Sequence, residues 1–193
     1  MAVATALTVE DYLALEERAE RKYELHRGEL VEMPGGSISH SKLVGNMLVL
    51  LDTATDGTGC EAFGSETKLV IGSSGSSYYP DAMVACPALI TRFFQGAVDN
   101  PRVIVEVLSP STEAYDRSEK FRDYILLPSV HDIVYVSSTH FQVEVMSRVE
   151  EGWLLRLYSG TDAIARIPSI EVELPLAKLY AKARVGESPA PAS

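Results

Sequence analysis

The chain has 193 residues, 46% hydrophobic and 23% charged, with a net charge of −10. This suits one soluble globular domain and excludes a low-complexity or disulfide-dense scaffold. The acidic balance, with an isoelectric point near 4.9, argues against tight binding to bare duplex DNA, because neutralised phosphates supply most of such affinity. Two cysteines, Cys60 and Cys86, lack CxxC spacing, so reduced thiols and no zinc site are expected.

The first residues carry no basic region ahead of an apolar run, and no apolar stretch is long enough for a membrane span. Cytoplasmic residence follows as the expectation. Thr8 with Asp11 forms a capping-box pattern, which predicts a helix to about Glu20. An Arg27-Gly28 turn within 22–33 predicts a hairpin. Apolar residues at Leu43, Val44, Met47, Leu48, Leu50 and Leu51 recur at helical spacing over 39–55.

One strand is expected within 60–71, ending in Lys68-Leu-Val-Ile71, and 72–77 reads as a flexible turn. A second strand spans 78–86. A third, 101–108, is apolar throughout except for Arg102 and Glu106, the pattern of a strand buried on both faces. Ser109-Pro-Ser-Thr112 leads into a helix that Pro128 stops after Leu127. Strands follow at 132–137, 141–149 and 153–158, then a closing helix over 175–183. The expected architecture is α/β (α+β), a mixed sheet flanked by helices with terminal hairpins, in one domain over 1–185 with a disordered tail at 186–193.

Three features carry chemistry. Asp81, after Pro80, is an acid at the mouth of an apolar strand. Glu106 lies inside an apolar strand, where an unpaired carboxylate is costly and a cation is one of the few good partners. Asp116, Lys120 and Tyr124 recur every four residues on one helix face. Competing readings are plain: Asp81 as a turn residue, Glu106 as a structural acid, and Asp116 with Lys120 as an exposed pair worth about 0.3–0.5 kcal/mol.

These residues resemble the PD-(D/E)XK nuclease superfamily. Tyr23-Glu-Leu with Gly28-Glu-Leu30, His40, Pro80-Asp81, Val105-Glu-Val-Leu-Ser-Pro-Ser-Thr112 and the Asp116/Lys120/Tyr124 helix look like one member family, abundant in bacteria and labelled as restriction endonucleases. The resemblance implies a restriction-endonuclease-like fold and an endonuclease hydrolysing DNA phosphodiesters with Mg or Mn. Asp81 and Glu106 match its metal-binding acids. Its motif lysine would stand at position 108, where this chain has Leu108. The resemblance places that lysine on the following helix, as Lys120, with Lys68 as the second candidate; Glu24, His40, Asp116 and Tyr124 are further site candidates. Basic groups at Arg18, Arg21, Lys22, Arg27 and at Arg117, Lys120, Arg122 are candidates to face DNA. A homodimer is expected, since two-fold symmetry lets an acidic chain pool its basic patches. The alternative is a nuclease-fold protein without cleavage activity that binds a partner or oligomerises.

Overall fold

A computed structural model describes residues 6–33, 35–89 and 97–186. Helix α1 (Val9–Glu16) is held at its start by the reciprocal Thr8–Asp11 capping box. Strands β1 (Tyr23–His26) and β2 (Glu29–Glu32) form the expected antiparallel hairpin. Arg27 and Gly28 both have positive φ, at 49° and 91°, as a two-residue type I′ turn requires.

Helix α2 (Ile38–Thr55) is capped by Ser37, whose side chain accepts from the His40 backbone N–H; such a cap contributes about 1 kcal/mol. Its buried stripe, Leu43, Met47 and Leu51, packs on one face of a six-stranded sheet. That sheet runs β11-β10-β9-β8-β6-β3. Its strands are β3 (Glu61–Gly64), β6 (Ala82–Ala85), β8 (Pro101–Leu108), β9 (Asp132–Ser137), β10 (Gln142–Val149) and β11 (Gly152–Ser159). The β8–β9 pair is parallel and the others are antiparallel. β8 is buried on both faces, as its apolar run requires: Val103, Val105 and Val107 meet α2, while Ile104 and Leu108 face the other side.

On that other side stands a second sheet, β2-β1-β5-β4-β7, built with β4 (Lys68–Ile71), β5 (Ser76–Tyr78) and β7 (Ala97–Val98). Beside it lies the crossover helix α3, which joins β8 to β9. It opens as α-helix at Glu113–Tyr115, widens into a π turn at Asp116–Lys120, and resumes as α-helix at Phe121–Tyr124. A two-stranded hairpin, β12 (Ile164–Ile167) and β13 (Val172–Pro175), and a short α4 (Leu176–Leu179) complete the α2 side.

Several expectations are corrected. The single strand expected over 78–86 is two strands of different sheets, because Pro80-Asp81 interrupts pairing between β5 and β6. Part of the expected turn at 72–77 is strand: Ser76 and Ser77 are fully buried in β5. The closing helix is one turn long, and β12 and β13 were not expected at all. The cysteines are not free thiols: Cys60 and Cys86 form a disulfide. The pairing of Glu61 with Ala85 brings the flanking cysteines opposite one another across β3 and β6, a juxtaposition set by register that spacing along the chain does not show. Of the tail expected over 186–193, residues 187–193 lie outside the described residues.

Candidate active site

A cleft of about 850 Å³ opens between the two sheets, α2 and α3. Its lining includes Glu24, His40, Asp81, Glu106, Asp116 and Lys120. Six residues from five places in the chain therefore meet in one depression.

Each arrives for a local reason. Glu106 points to the α3 side of β8, and only 3% of it is exposed. Asp81 sits one residue before β6, whose Ala82 pairs with Val105 of β8, so the register sets Asp81 beside Glu106. The Asp81 carboxylate accepts the backbone N–H of Val107 at 2.7 Å, taking a β8 donor at the point where β6 begins. Glu24, on β1, accepts the backbone N–H of Tyr79 at 3.0 Å. The chain between β5 and β6 is thus tied to β1 through Glu24 and to β8 through its own Asp81.

Lys120 is the centre of the cluster. Its Nζ lies 2.9 Å from Glu24, 3.3 Å from Glu106 and 3.3 Å from Asp116, and the residue is 6% exposed. The solvent-exposed Asp116–Lys120 pair considered from spacing is not what forms. The hydroxyl of Tyr124, fully buried, donates to the same Glu106 oxygen at 2.5 Å. Leu108, at the position of the motif lysine, packs in the core with Ile104, Tyr124 and Tyr135. The cation near Glu106 comes instead from α3, at its π turn; such widened turns recur at functional sites.

Burial pushes the Glu106 carboxyl well above its usual range, opposed by Lys120 and reinforced by Asp116, Asp81 and Glu24. Burial likewise raises Asp116, against the pull of Lys120. Burial works against the Lys120 ammonium, yet Glu106, Glu24 and Asp116 together hold its pKa well above normal. His40, on the first turn of α2, places Nε2 3.2 Å from Asp81; that hydrogen bond, against the effect of burial, raises the imidazole pKa. Four carboxyl groups thus face one lysine and one histidine. That surplus of hard oxygen donors suits a divalent cation such as Mg²⁺. Among the described residues no three His, Cys, Asp or Glu side chains converge as a ready metal cage, so an ion held by Asp81 and Glu106 would complete its shell with water.

Lys68 does not join the cluster. Its ammonium lies 2.7 Å from Glu16, and it is absent from the lining of the cleft. Apart from Arg18, which is exposed and in no ion pair among the described residues, the basic groups expected to face DNA are also otherwise engaged. Arg21 pairs with Glu32, Lys22 with Glu66, Arg27 with Asp123, Arg117 with Glu113 and Glu144, and Arg122 with Glu119.

One residue beside the cluster escaped the sequence reading. Asp123, fully buried on α3, accepts from Ser76 and Tyr78 hydroxyls at 2.6 Å each and from Arg27 at 2.8 and 3.2 Å. It fastens α3 to β5 and to the β1–β2 turn, and so fixes Lys120 relative to Glu24. Burial opposes its ionisation, but Ser76, Tyr78 and Arg27 hold its carboxyl below the ordinary value. An acid next to the buried Tyr124 was the only available hint.

A family model described as "Uma2: Putative restriction endonuclease" matches residues 9–177. The chain belongs to this family. Two Synechocystis sp. proteins, both named uncharacterized, are each 36% identical to it. One (slr1290) aligns over 82% of this chain and 83% of its own length, the other (sll1609) over 84% and 94%. The crystal structure of a "putative nuclease belonging to DUF820" from Anabaena variabilis superposes with a TM-score of 0.71 at 18% identity, covering 90% of this chain and 97% of that one. The fold is therefore that of a restriction-endonuclease-like protein, a mixed sheet flanked by helices. No helix among the described residues is long and apolar enough to cross a membrane.

Proposed function

We propose that this family member is a metal-dependent endonuclease that hydrolyses DNA phosphodiester bonds at the Asp81–Glu106–Lys120 cluster. The observation that carries the reading is the approach of Lys120 to Glu106 from a separate element, within a cleft that Asp81 also lines. A cation is thereby restored beside the acid pair although Leu108 replaces the motif lysine.

Asp81 and Glu106 are the residues that would hold Mg²⁺ or Mn²⁺, which when bound would stabilise charge on a phosphodiester and acidify a coordinated water. The protein's own contribution is positional. Asp81 is fixed by the Val107 N–H, and Glu106 by Tyr124 and Lys120, so both acids are oriented by neighbours that belong to rigid elements. Lys120 supplies positive charge next to the scissile group and keeps Glu24, Glu106 and Asp116 together at neutral pH. His40, bonded to Asp81, is placed to orient that carboxylate.

The test is incubation of supercoiled plasmid and of a single-stranded DNA circle with Mg²⁺ or Mn²⁺, beside Asp81→Ala. Metal-dependent breakage of either substrate by the wild type alone supports the reading. Breakage of neither, or equal breakage by the variant, refutes it and favours a non-cleaving, binding role.

A further inference from the structure

Sheet edges present rows of unpaired backbone N–H and C=O groups, and folded chains guard them with short strands, charges or covering elements. Three of the four edges of the two large sheets follow that rule. β3 has four residues and opens on Glu61, β2 has four residues with Glu29 and Glu32 at its ends, and β7 has two residues, both buried. The fourth edge, β11, is built differently. It runs for eight residues, Gly152–Ser159, without a proline or an acid, and its one charge is Arg156. It is the last strand of its sheet and pairs with β10 alone.

The side chains on this edge are as open as its backbone. Leu154, Leu155 and Leu157 are 43%, 50% and 58% exposed. Trp153, Leu155 and Leu157 alternate onto the α3 side of the sheet, where Trp153 meets the Phe121 ring edge-on. Leu154, Arg156 and Tyr158 take the α2 side, opposite Ser147, Val145 and Val143 of β10. Among the described residues, no backbone group of another element bonds to the outer side of β11. A long apolar edge left open in this way is a template for another strand.

The strand that fits is β11 itself. Residues directly opposite in an antiparallel pair share a face, so a two-fold axis joining two copies into one sheet passes through a residue. With the axis at Leu155, that leucine meets its own copy, Trp153 meets the partner's Leu157, and Leu154 meets the partner's Arg156. Every pair on the α3 side is then apolar. An axis at Arg156 sets two guanidinium groups opposite each other, and one at Leu154 sets Glu151 opposite Leu157; both are unfavourable. Charge favours the same approach. A chain of net charge −10 repels its copy from most directions, whereas β11 carries no acid. Its eight residues give an edge about 27 Å long. Pairing along it makes a small interface, below about 1,200 Å² in total, of the size that holds transient complexes.

We propose that two copies of this chain join antiparallel through β11, with the two-fold axis at Leu155, and merge their six-stranded sheets into one. No β11 residue lines the cleft, so the proposal stands apart from the nuclease reading. Light scattering over about 1–200 µM protein should show the mass rising from 21.0 kDa towards twice that value, with a dissociation constant of about 1–100 µM. Leu155→Lys sets two ammonium groups opposite each other at a position already exposed. It should keep the wild-type circular-dichroism spectrum and stay monomeric at about 200 µM. Leu155→Cys should cross-link to its own copy on mild oxidation, since Cys60 and Cys86 are bonded to each other and leave no other thiol. Ser159→Cys, at the end of the strand, should not, because its copy lies about 27 Å away in this register. A monomer at every concentration or a dimer that survives Leu155→Lys overturns the proposal. So does a Leu155→Cys protein that fails to cross-link, or a Ser159→Cys protein that cross-links as readily.

Discussion

The ammonium of Lys120 lies 3.3 Å from Glu106 Oε1, although one residue belongs to the crossover helix α3 and the other to the central strand β8. The same ammonium meets Glu24 and Asp116, so one buried cation neutralises acids from three elements. On the proposed reading, stability and chemistry are therefore coupled at this atom.

Removing that cation leaves buried carboxylates uncompensated. Lys120→Met should lower stability at neutral pH by about 3–5 kcal/mol, the usual consequence of breaking a buried ion pair. Urea denaturation measures it. The deficit should shrink as pH falls and Glu106 and Asp116, both raised above their ordinary values, take up protons. Lys68→Ala is the contrasting case: it loses a pair with Glu16, whose carboxylate is largely buried, so it too should cost stability, but it should retain any metal-dependent cutting. Loss of cutting in the folded Lys68→Ala protein would return Lys68 to the site.

Asp123→Ala should destabilise by about 2 kcal/mol or more at pH 7, because Ser76, Tyr78 and Arg27 lose a charged acceptor. The pH dependence has a defined sign. The folded carboxyl titrates below its ordinary 3.8, so its stabilisation is present above about that pH and disappears as pH falls through the lower, folded value. Wild type and variant should therefore converge in acid, read as melting temperature against pH. A gap that stays constant down to strongly acidic pH would contradict the assignment.

The Cys60–Cys86 disulfide closes a loop with a sequence separation of 26. Closing a loop of that length stabilises by about 3.5 kcal/mol in the chain-entropy account. Thiol titration of the denatured, unreduced protein should find no free thiol, and reduction should release two and lower the melting temperature. Two free thiols before reduction would restore the reading made from composition.

Much of this was legible in the sequence where one physical demand dominates. β8 announces itself by its apolar run, and Glu106 by being the acid within it. The α3 cluster follows from residues four apart on a helix. What could not be read depends on pairing at long range. Asp123 looks like a surface helix acid until Ser76, Tyr78 and Arg27 arrive from distant segments. The disulfide depends on a β3–β6 register, and the break at Pro80-Asp81 assigns β5 and β6 to different sheets. β12 and β13 are four residues each, too short for alternation to stand out. The choice between Lys120 and Lys68 was likewise a matter of packing: Glu16 holds Lys68 away, whereas the π turn of α3 brings Lys120 inward.

The most direct test of the metal-binding claim is thermal unfolding with and without Mg²⁺, in wild type and in Glu106→Gln. With a dissociation constant of about 1 mM, roughly 10 mM Mg²⁺ should stabilise the wild type by about 1.4 kcal/mol. For a domain of this size that is a rise in melting temperature of about 3–6 °C. Glu106→Gln keeps the shape and an oxygen acceptor for Tyr124 but removes a ligand charge, so most of the rise should vanish. Equal Mg²⁺ responses in the two proteins would show that the ion does not bind at Asp81 and Glu106, and would contradict the account.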